Sequence, residues 1–463
     1  MLAGYPTDPE ISQSALIATL LPTNFFAVQG PGAGHNLEHG NVPAYLIQCY
    51  CIKIEYGSLC GTCVKGYGMN RNNLSDGVRQ TLQRFAEPHD AHYGVAPLAP
   101  SEDYIPLQGV SVAVADAHAA LKEAAVIAST LPDNYLLTRI PVRKEALSSS
   151  SIEGTNSTLD ELLLVEEENT SENDATHQVR DYALALETVL PRARELGSAI
   201  FDIDLIRNLH AATMNSDAVY RDPKGQFRSR VVWIGGGDIS QSTYNPPPPQ
   251  FVDSCMEDHI RYLHGDGMQV MNQDFITRMA VAHAHFEGVH PFRDGNGRVG
   301  RLLLPVMMAA EGHEPVYLSS FIEENKQRYY DGLKAAQQRL DYSPLVVFMA
   351  NAIKESVYEL KRLRSDLAEL RDGWMRRDKW RAGSTAVRAL DILHEYPVLT
   401  VGRLASLLDV SFQSASTAMK TLVDTGILLE KTGYARNRIF TAPEAVALLN
   451  RPFGEYEPSG YSL

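Results

Sequence analysis

At 463 residues the chain has room for about three domains and one sizeable core. Its 44% hydrophobic and 21% charged residues belong to a soluble globular protein and exclude a disordered or fibrous one. Lys and Arg number 42 against 56 Asp and Glu, a net charge of −14, so bulk non-specific attraction to nucleic acid or anionic membrane is excluded and only a local basic site remains open. The most apolar early stretch, residues 15–28, is broken by Pro22 and Asn24 and has no basic segment before it. It is too short to span a bilayer and makes a poor secretory signal, so the expected compartment is the cytoplasm, with no membrane partner.

Residues 1–95 show short apolar runs, scattered Gly and Pro and no sustained helical period, and no fold is assigned to them. A variable or non-native extension, with Met69 as an alternative start, is the expectation. Cys49, Cys51, Cys60 and Cys63 follow the pattern C-x-C-x8-C-x2-C. Four thiolates could close a tetrahedral zinc site, but one CxxC beside a CxC is weaker than two CxxC knuckles. Four reduced thiols are the preferred reading. Cys255 stands alone.

From about residue 110 the texture becomes helical. Residues 112–131 are Ala-rich. Residues 176–190 form an amphipathic helix that Pro191 is expected to end or kink. Residues 225–244 contain Phe227, Val231, Val232, Trp233 and Ile234 before three glycines, which predicts a β-hairpin. Phe275, Met279, Ala282, Phe286 and Val289 recur at steps of three and four, marking one buried helical face. Residues 298–311 are apolar nearly all round, the mark of a central bundle helix, with Pro305 expected to kink it. A long charged helix over 343–371 leads to three short amphipathic helices, 385–394, 401–408 and 412–425, and two strand-like segments, 427–430 and 438–441, on either side of Gly433. That order predicts a winged helix. The domain reading is an extension (1–95), an N-terminal helical region (96–200), a core (201–351), a linker helix (352–383), a winged helix-turn-helix (384–450) and a tail (451–463). The expected fold class is mainly α.

One segment carries more chemistry than the rest: His290-Pro291-Phe292-Arg293-Asp294-Gly295-Asn296-Gly297-Arg298-Val299-Gly300-Arg301. It reads as a helix end, a tight loop and a new helix start. Gly295, Asn296 and Gly297 tolerate positive φ, so their backbone N–H groups can converge on an anion beside a helix N-terminus. Arg298 and Arg301, three apart, make a fork for phosphate oxygens. Asp294 is a donor suited to Mg²⁺, and His290 can accept a proton near neutrality. His283 and His285 are two apart on different helix faces and cannot join His290 and Asp294 at one metal. His285 is expected at the surface and His283 as a satisfied structural histidine.

This segment resembles, position for position, the HxFx(D/E)GNGRxxR motif of Fic-domain proteins. His283 to Glu287 resembles the family's HxxFE helix, Gly225 to Arg228 with Trp233 to Gly235 its flap, and Tyr317 to Tyr330 the helix after the motif; the resemblance covers about Tyr104 to Asn351. It implies a Fic-type helical bundle with a β-hairpin flap that transfers AMP from ATP to a Ser, Thr or Tyr hydroxyl of a target protein, with self-modification expected. His290 would be the general base and Asp294 the Mg²⁺ ligand. Gly295, Asn296 and Gly297 would form the anion hole, and Arg298 and Arg301 would bind the β- and γ-phosphates. Arg230, Val231, Val232, Trp233 and Ile234 would dock the target by strand addition. UMP or phosphocholine donors would use the same loop, so the donor is inferred.

Ser149 to Gly154 matches the family's inhibitory pattern (S/T)xxxE(G/N), here N-terminal to the core. Ser149 and Glu153 are i and i+4 on one helical face. By the resemblance Glu153 pairs with Arg301 and withholds it from the γ-phosphate, although in some relatives the same glutamate supports AMP removal. In the winged helix Gln413, Ser414, Ser416, Thr417 and Lys420 are the expected exposed residues of the second helix, with Arg436 and Arg438 in the wing. Acidic residues nearly balance the basic ones there, so DNA binding stands beside dimerisation or target presentation, which is slightly preferred. The alternative functions are a de-AMPylating enzyme on the same site, or a DNA-binding regulator of toxin–antitoxin type in which the winged helix dominates; a homodimer is a further expected partner arrangement.

Overall fold

The computed structural model describes residues 69–101, 109–129, 139–168, 174–265, 273–432 and 437–455. The four clustered cysteines, the apolar stretch 15–28, Tyr104, Gly433, Arg436 and the last eight residues of the tail lie outside them. Among the described residues α1 (Asp76–Gln80) precedes the hairpin of β1 (Leu82–Arg84) and β2 (Tyr93–Val95). These elements are too short to show a period, and they hold by burying Leu74, Val78 and Val95 against Tyr244.

The bundle follows: α2 (Ser111–Ser129), α3 (Arg139–Ile152), α4 (Leu159–Glu168), α5 (Asp174–Leu196), α6 (Ile203–Thr213), α7 (Val252–His264), α8 (Phe275–Val289), α9 (Asn296–Ala310), α10 (Ser319–Glu324), α11 (Lys326–Arg339) and α12 (Ser343–Met375). α8 and α9 lie at its centre. Every residue of α8 is buried, not one face of it. This corrects the placement of His285, which is 5% exposed and stacks in parallel on His259 at 5.6 Å. α5 does not end at Pro191 but runs on to Leu196. Val189, Leu190 and Ala193 are buried around the proline, and this packing outweighs the missing amide. α9 continues likewise through Pro305 to Ala310.

The hairpin expected at 225–244 is reduced to one antiparallel bridge between Ile234 and Tyr244. Gly235 and Gly236 take positive φ, and a short 3₁₀ turn over Ile239–Gln241, capped by Asp238, takes up the residues that would have paired. The limbs are held instead by the Arg228 side chain.

After α12 come α13 (Thr385–Ile392), β3 (Val398–Thr400), α14 (Val401–Leu408), α15 (Phe412–Asp424), β4 (Leu429–Glu430), β5 (Ile439–Thr441) and α16 (Pro443–Leu449). The sheet is antiparallel in the order β3-β5-β4, so it gains a strand, β3, that the sequence pattern did not reveal. A separate core of Trp374, Leu390, Leu404, Leu422 and Phe440 supports it. Gln413, Thr417 and Lys420 are exposed on α15, while Ser414 and Ser416 are half-buried and Ser414 bonds Thr385.

α3 bridges the two cores. Its first residue, Arg139, is buried, donates to the Glu395 carbonyl and the Glu166 carboxylate, and lies 4.3 Å over the Tyr396 ring. Ile140 packs in a cluster with Leu159, Leu163, Val398 and Ile439. Glu167 accepts from Arg403 Nε at 3.0 Å. Further along α3, the buried Glu145 accepts from the Ser319 amide (2.8 Å) and hydroxyl (2.6 Å), fixing the helix to α10. Among the described residues no helix is long and apolar enough to cross a membrane.

Candidate active site

α8 ends at His290, which caps it in the left-handed conformation (φ 48°, ψ 62°) with its amide bonded to Phe286 O. A non-glycine residue held there marks a position over-determined by its surroundings. Arg228 supplies much of that constraint. Its guanidinium donates to the carbonyls of His290 (2.8 Å), Val289 (3.2 Å), Pro247 (2.7 Å) and Arg230 (3.2 Å), and its amide donates to Pro291 O. Burial lowers its pKa to about 10, so it remains a cation.

The loop after His290 is closed by its own side chains. Asn296 Oδ1 accepts the Phe292 amide at 2.8 Å and Nδ2 donates to Phe292 O at 2.9 Å. The side chain of Asn296 thus staples the loop, and only its backbone N–H can serve an anion. Phe292 is fully buried and stacks on His210 with centroids 3.8 Å apart. His210 Nδ1 accepts the Gly225 amide at 2.8 Å, so its Nε2–H is the donor to the Asp294 carbonyl at 3.1 Å. Desolvation lowers its pKa to about 4 and keeps it neutral.

Gly295 caps α9 with φ 78° and no side-chain cap, so the first N–H groups of the helix have no intrahelical carbonyl. An anion is what such a terminus accepts, and one is there. Glu153, just beyond the C-terminus of α3, puts its carboxylate against Gly297: a Cβ at that glycine would lie 2.2 Å from Glu153 Oε1. The same oxygen accepts from Arg301 at 2.7 Å. Arg301, 1% exposed, also donates to the Ser149 hydroxyl (3.0 Å) and carbonyl (2.8 Å). Burial would raise the pKa of Glu153, but Arg301 first, then Arg298 and His290, bring it below the ordinary carboxylate value.

Arg298 is buried and turned the other way, toward Gln178 (3.1 Å), Met214 Sδ (2.9 Å) and Asp217 (3.7 Å). Asp294 is exposed, with Oδ1 fixed by the Gly295 amide at 2.7 Å. Among the described residues no group of three or more His, Cys, Asp or Glu side chains could hold a metal. A single exposed carboxylate beside an anion site suits a hydrated Mg²⁺ shared with phosphates rather than an all-protein cage.

The flap residues divide by burial. Arg230 is exposed, Val231, Trp233 and Ile234 are half-buried, and Val232 is buried. Ile234 uses its own amide and carbonyl on Tyr244 and Thr243 (each 2.8 Å). His283 is a satisfied structural histidine: Nδ1–H donates to Gly300 O (3.2 Å) and Nε2 accepts from Tyr329 Oη (2.7 Å). Arg228 and Glu287 fall in the segments that resemble the family's flap and HxxFE helix, whereas nothing in the sequence singled out His210 as a neighbour of this loop.

The Fic/DOC family model matches residues 200–308, and the Fic/DOC family N-terminal model matches residues 112–190. Two curated relatives named protein adenylyltransferase fic-1 are similar over 156 residues: that of Caenorhabditis briggsae at 33% identity and that of Caenorhabditis elegans at 32%. Each match covers 34% of this chain and 28% of the relative. Protein adenylyltransferase Fic of Drosophila erecta is 29% identical over 31% of this chain and 27% of its own length. The chain therefore spans little more than a quarter of the curated relatives it matches. A solved Fic family protein from Desulfovibrio desulfuricans G20 aligns with 77% of this chain and all of its own, at TM-score 0.44 and 20% identity. Residues 112–190 and 200–308 thus carry the similarity to the Fic/DOC family.

Proposed function

We propose that this protein is a self-inhibited protein adenylyltransferase, moving AMP from ATP to a hydroxyl of a protein side chain. The observation that carries the reading is the carboxylate of Glu153 lying on Gly297 and Arg301, at the helix terminus suited to a phosphate. The protein keeps its anion site filled with an internal anion. The names of the relatives add the nucleotide and the protein acceptor.

In the reaction the target hydroxyl oxygen attacks the α-phosphorus, the bond to the bridging oxygen of the β-phosphate breaks, and pyrophosphate leaves. His290 takes the hydroxyl proton. The α9 amides and Arg301 bear the charge of the phosphates, a task of positioning and electrostatics rather than covalent catalysis. Mg²⁺ held by Asp294 would neutralise phosphate charge. Residues 229–233 are read as the target-docking edge, where an extended segment pairs with the flap backbone. Residues 384–450 are read as a winged helix-turn-helix module from the order of their elements.

The test incubates wild type, Glu153→Gly and His290→Ala with Mg²⁺ and ATP labelled at the α- or the γ-phosphate. Label from the α position alone, strongest in Glu153→Gly and absent in His290→Ala, is the expected result. Label from the γ position would assign phosphoryl transfer instead.

A further inference from the structure

Glu287 is a carboxylate in the last turn of a helix with no exposed residue. It is 6% exposed, yet Oε1 has no hydrogen-bond partner. A buried carboxyl without partners costs free energy, so its presence calls for an explanation. The space it occupies is made for it: a Cβ on Gly300 would fall 2.3 Å from Oε1. α9 thus carries two glycines three residues apart, Gly297 under the carboxylate of Glu153 and Gly300 under that of Glu287.

The other oxygen faces the catalytic loop. Oε2 lies 4.0 Å from His290 Nδ1, one helical turn along at i+3. The left-handed cap and the Arg228 clamp hold His290 so that its ring turns back toward the helix it terminates. Balancing Arg301 does not account for Glu287. That guanidinium already has Glu153 and both groups of Ser149 as hydrogen-bond partners, whereas Glu287 makes no hydrogen bond to it.

We infer that Glu287 is the positioning carboxylate of His290, holding the imidazole with Nδ1 protonated and facing α8 so that Nε2 is the nitrogen offered to the incoming hydroxyl. The inference rests on the reading of His290 as proton acceptor and deepens it. An acid–imidazole pair of this kind fixes the tautomer and favours the imidazolium that forms when the proton is taken. It also gives Glu153 a second effect. The groups around Glu287 are His290, Arg301, Glu153 and Tyr329. Burial is the main reason that its pKa rises to about 7; Arg301 lowers it and Glu153 raises it. Removal of the Glu153 charge therefore leaves more of Glu287 ionised and better able to hold the Nδ1 proton.

The experiment uses the full chain with ¹⁵N-labelled histidine, His290 being assigned by its loss in His290→Ala. Long-range ¹H–¹⁵N spectra of the wild type should show His290 as the Nδ1–H tautomer; the Nε2–H tautomer would overturn the inference whatever any variant does. In Glu287→Gln the pKa of His290 should fall by about one unit. In the Glu153→Gly background, Glu287→Gln should lower kcat at least about tenfold with KM for ATP nearly unchanged. An unaltered His290 titration together with an unaltered kcat and pH profile would also overturn it. Absence of AMP transfer in Glu153→Gly itself would count against the proposed reaction alone, because the tautomer and titration are read without turnover.

Discussion

The carboxylate of Glu153 lies where a side chain on residue 297 would have to be, with 2.2 Å between Oε1 and an ideal Cβ. The proposed inhibition would therefore be more than an ion pair at the rim of the site. The same oxygen meets Arg301 and the terminus of α9, the two features best suited to a polyphosphate. On the proposed reading, ATP and Glu153 would compete for one place.

Release of that competitor should raise the rate. A hydrogen bond to a charged group contributes about 1.5–3 kcal/mol, so Glu153→Gly should increase initial AMP transfer about 10- to 100-fold. Initial rates at subsaturating ATP read this directly. Equal rates for wild type and variant would remove the inhibitory role of Glu153.

Gly297→Ala should behave differently although it also expels Glu153. Its methyl group fills the space that an anion needs against the helix terminus, so no activation should follow. ATP affinity should fall about tenfold or more in the double variant Glu153→Gly, Gly297→Ala relative to Glu153→Gly, measured by calorimetry. Full activity in the double variant would show that phosphate does not approach α9 at this residue.

Arg228 makes four carbonyl contacts from one buried guanidinium, and lysine cannot reproduce that fork. Arg228→Lys should lower kcat more than it raises KM for ATP, because the carbonyls it loses belong to His290 and the flap. Stability should fall by about 1–3 kcal/mol for each buried carbonyl left unpaired, read from denaturant unfolding.

Stability should decline on mild acidification. His210, His259 and His283 titrate near about 4, 3 and 3 because burial disfavours their charged forms. Between these values and about 6.5 the unfolded chain binds more protons than the folded one, so stability is lost as pH falls through that window. At pH 5 this amounts to about 2 kcal/mol for each histidine. Glu287 works in the opposite direction: raised to about 7, it favours the folded state as pH falls from 7 toward its unfolded value, offsetting about one histidine. The urea midpoint at pH 5 should therefore lie below that at pH 7.5. An equal or higher midpoint would show that these imidazoles are hydrated or charged in the folded protein.

The parts of the site that were legible in the sequence are those that lie close together in it. His290 to Arg301 and Ser149 to Gly154 are short strings whose spacing carries their geometry, and the structure brings the second onto the first. The residues that hold the site are another matter. Arg228 acts on the His290 carbonyl across 62 positions and His210 on the Asp294 carbonyl across 84, so no local pattern reveals them. His285 was misread because a helix central to a bundle is buried on every side, and one apolar stripe does not distinguish it from a half-exposed helix. Pro191 was expected to end or kink α5; the helix does not end there, because the burial around it sustains it. The flap residues favoured strand by propensity, but glycines and a side-chain clamp, not a ladder, set their path.

α3 spans 14 residues, about 21 Å of rigid rod at about 1.5 Å per residue. One end is seated under Tyr396 and the Glu395 carbonyl, and beyond the other lies the carboxylate in the anion site. Between the two ends Glu145 ties the rod to α10. On the proposed reading, a displacement of the C-terminal sheet is expected to be felt at Glu153 through this helix, which would make the strength of inhibition depend on surfaces far from the nucleotide.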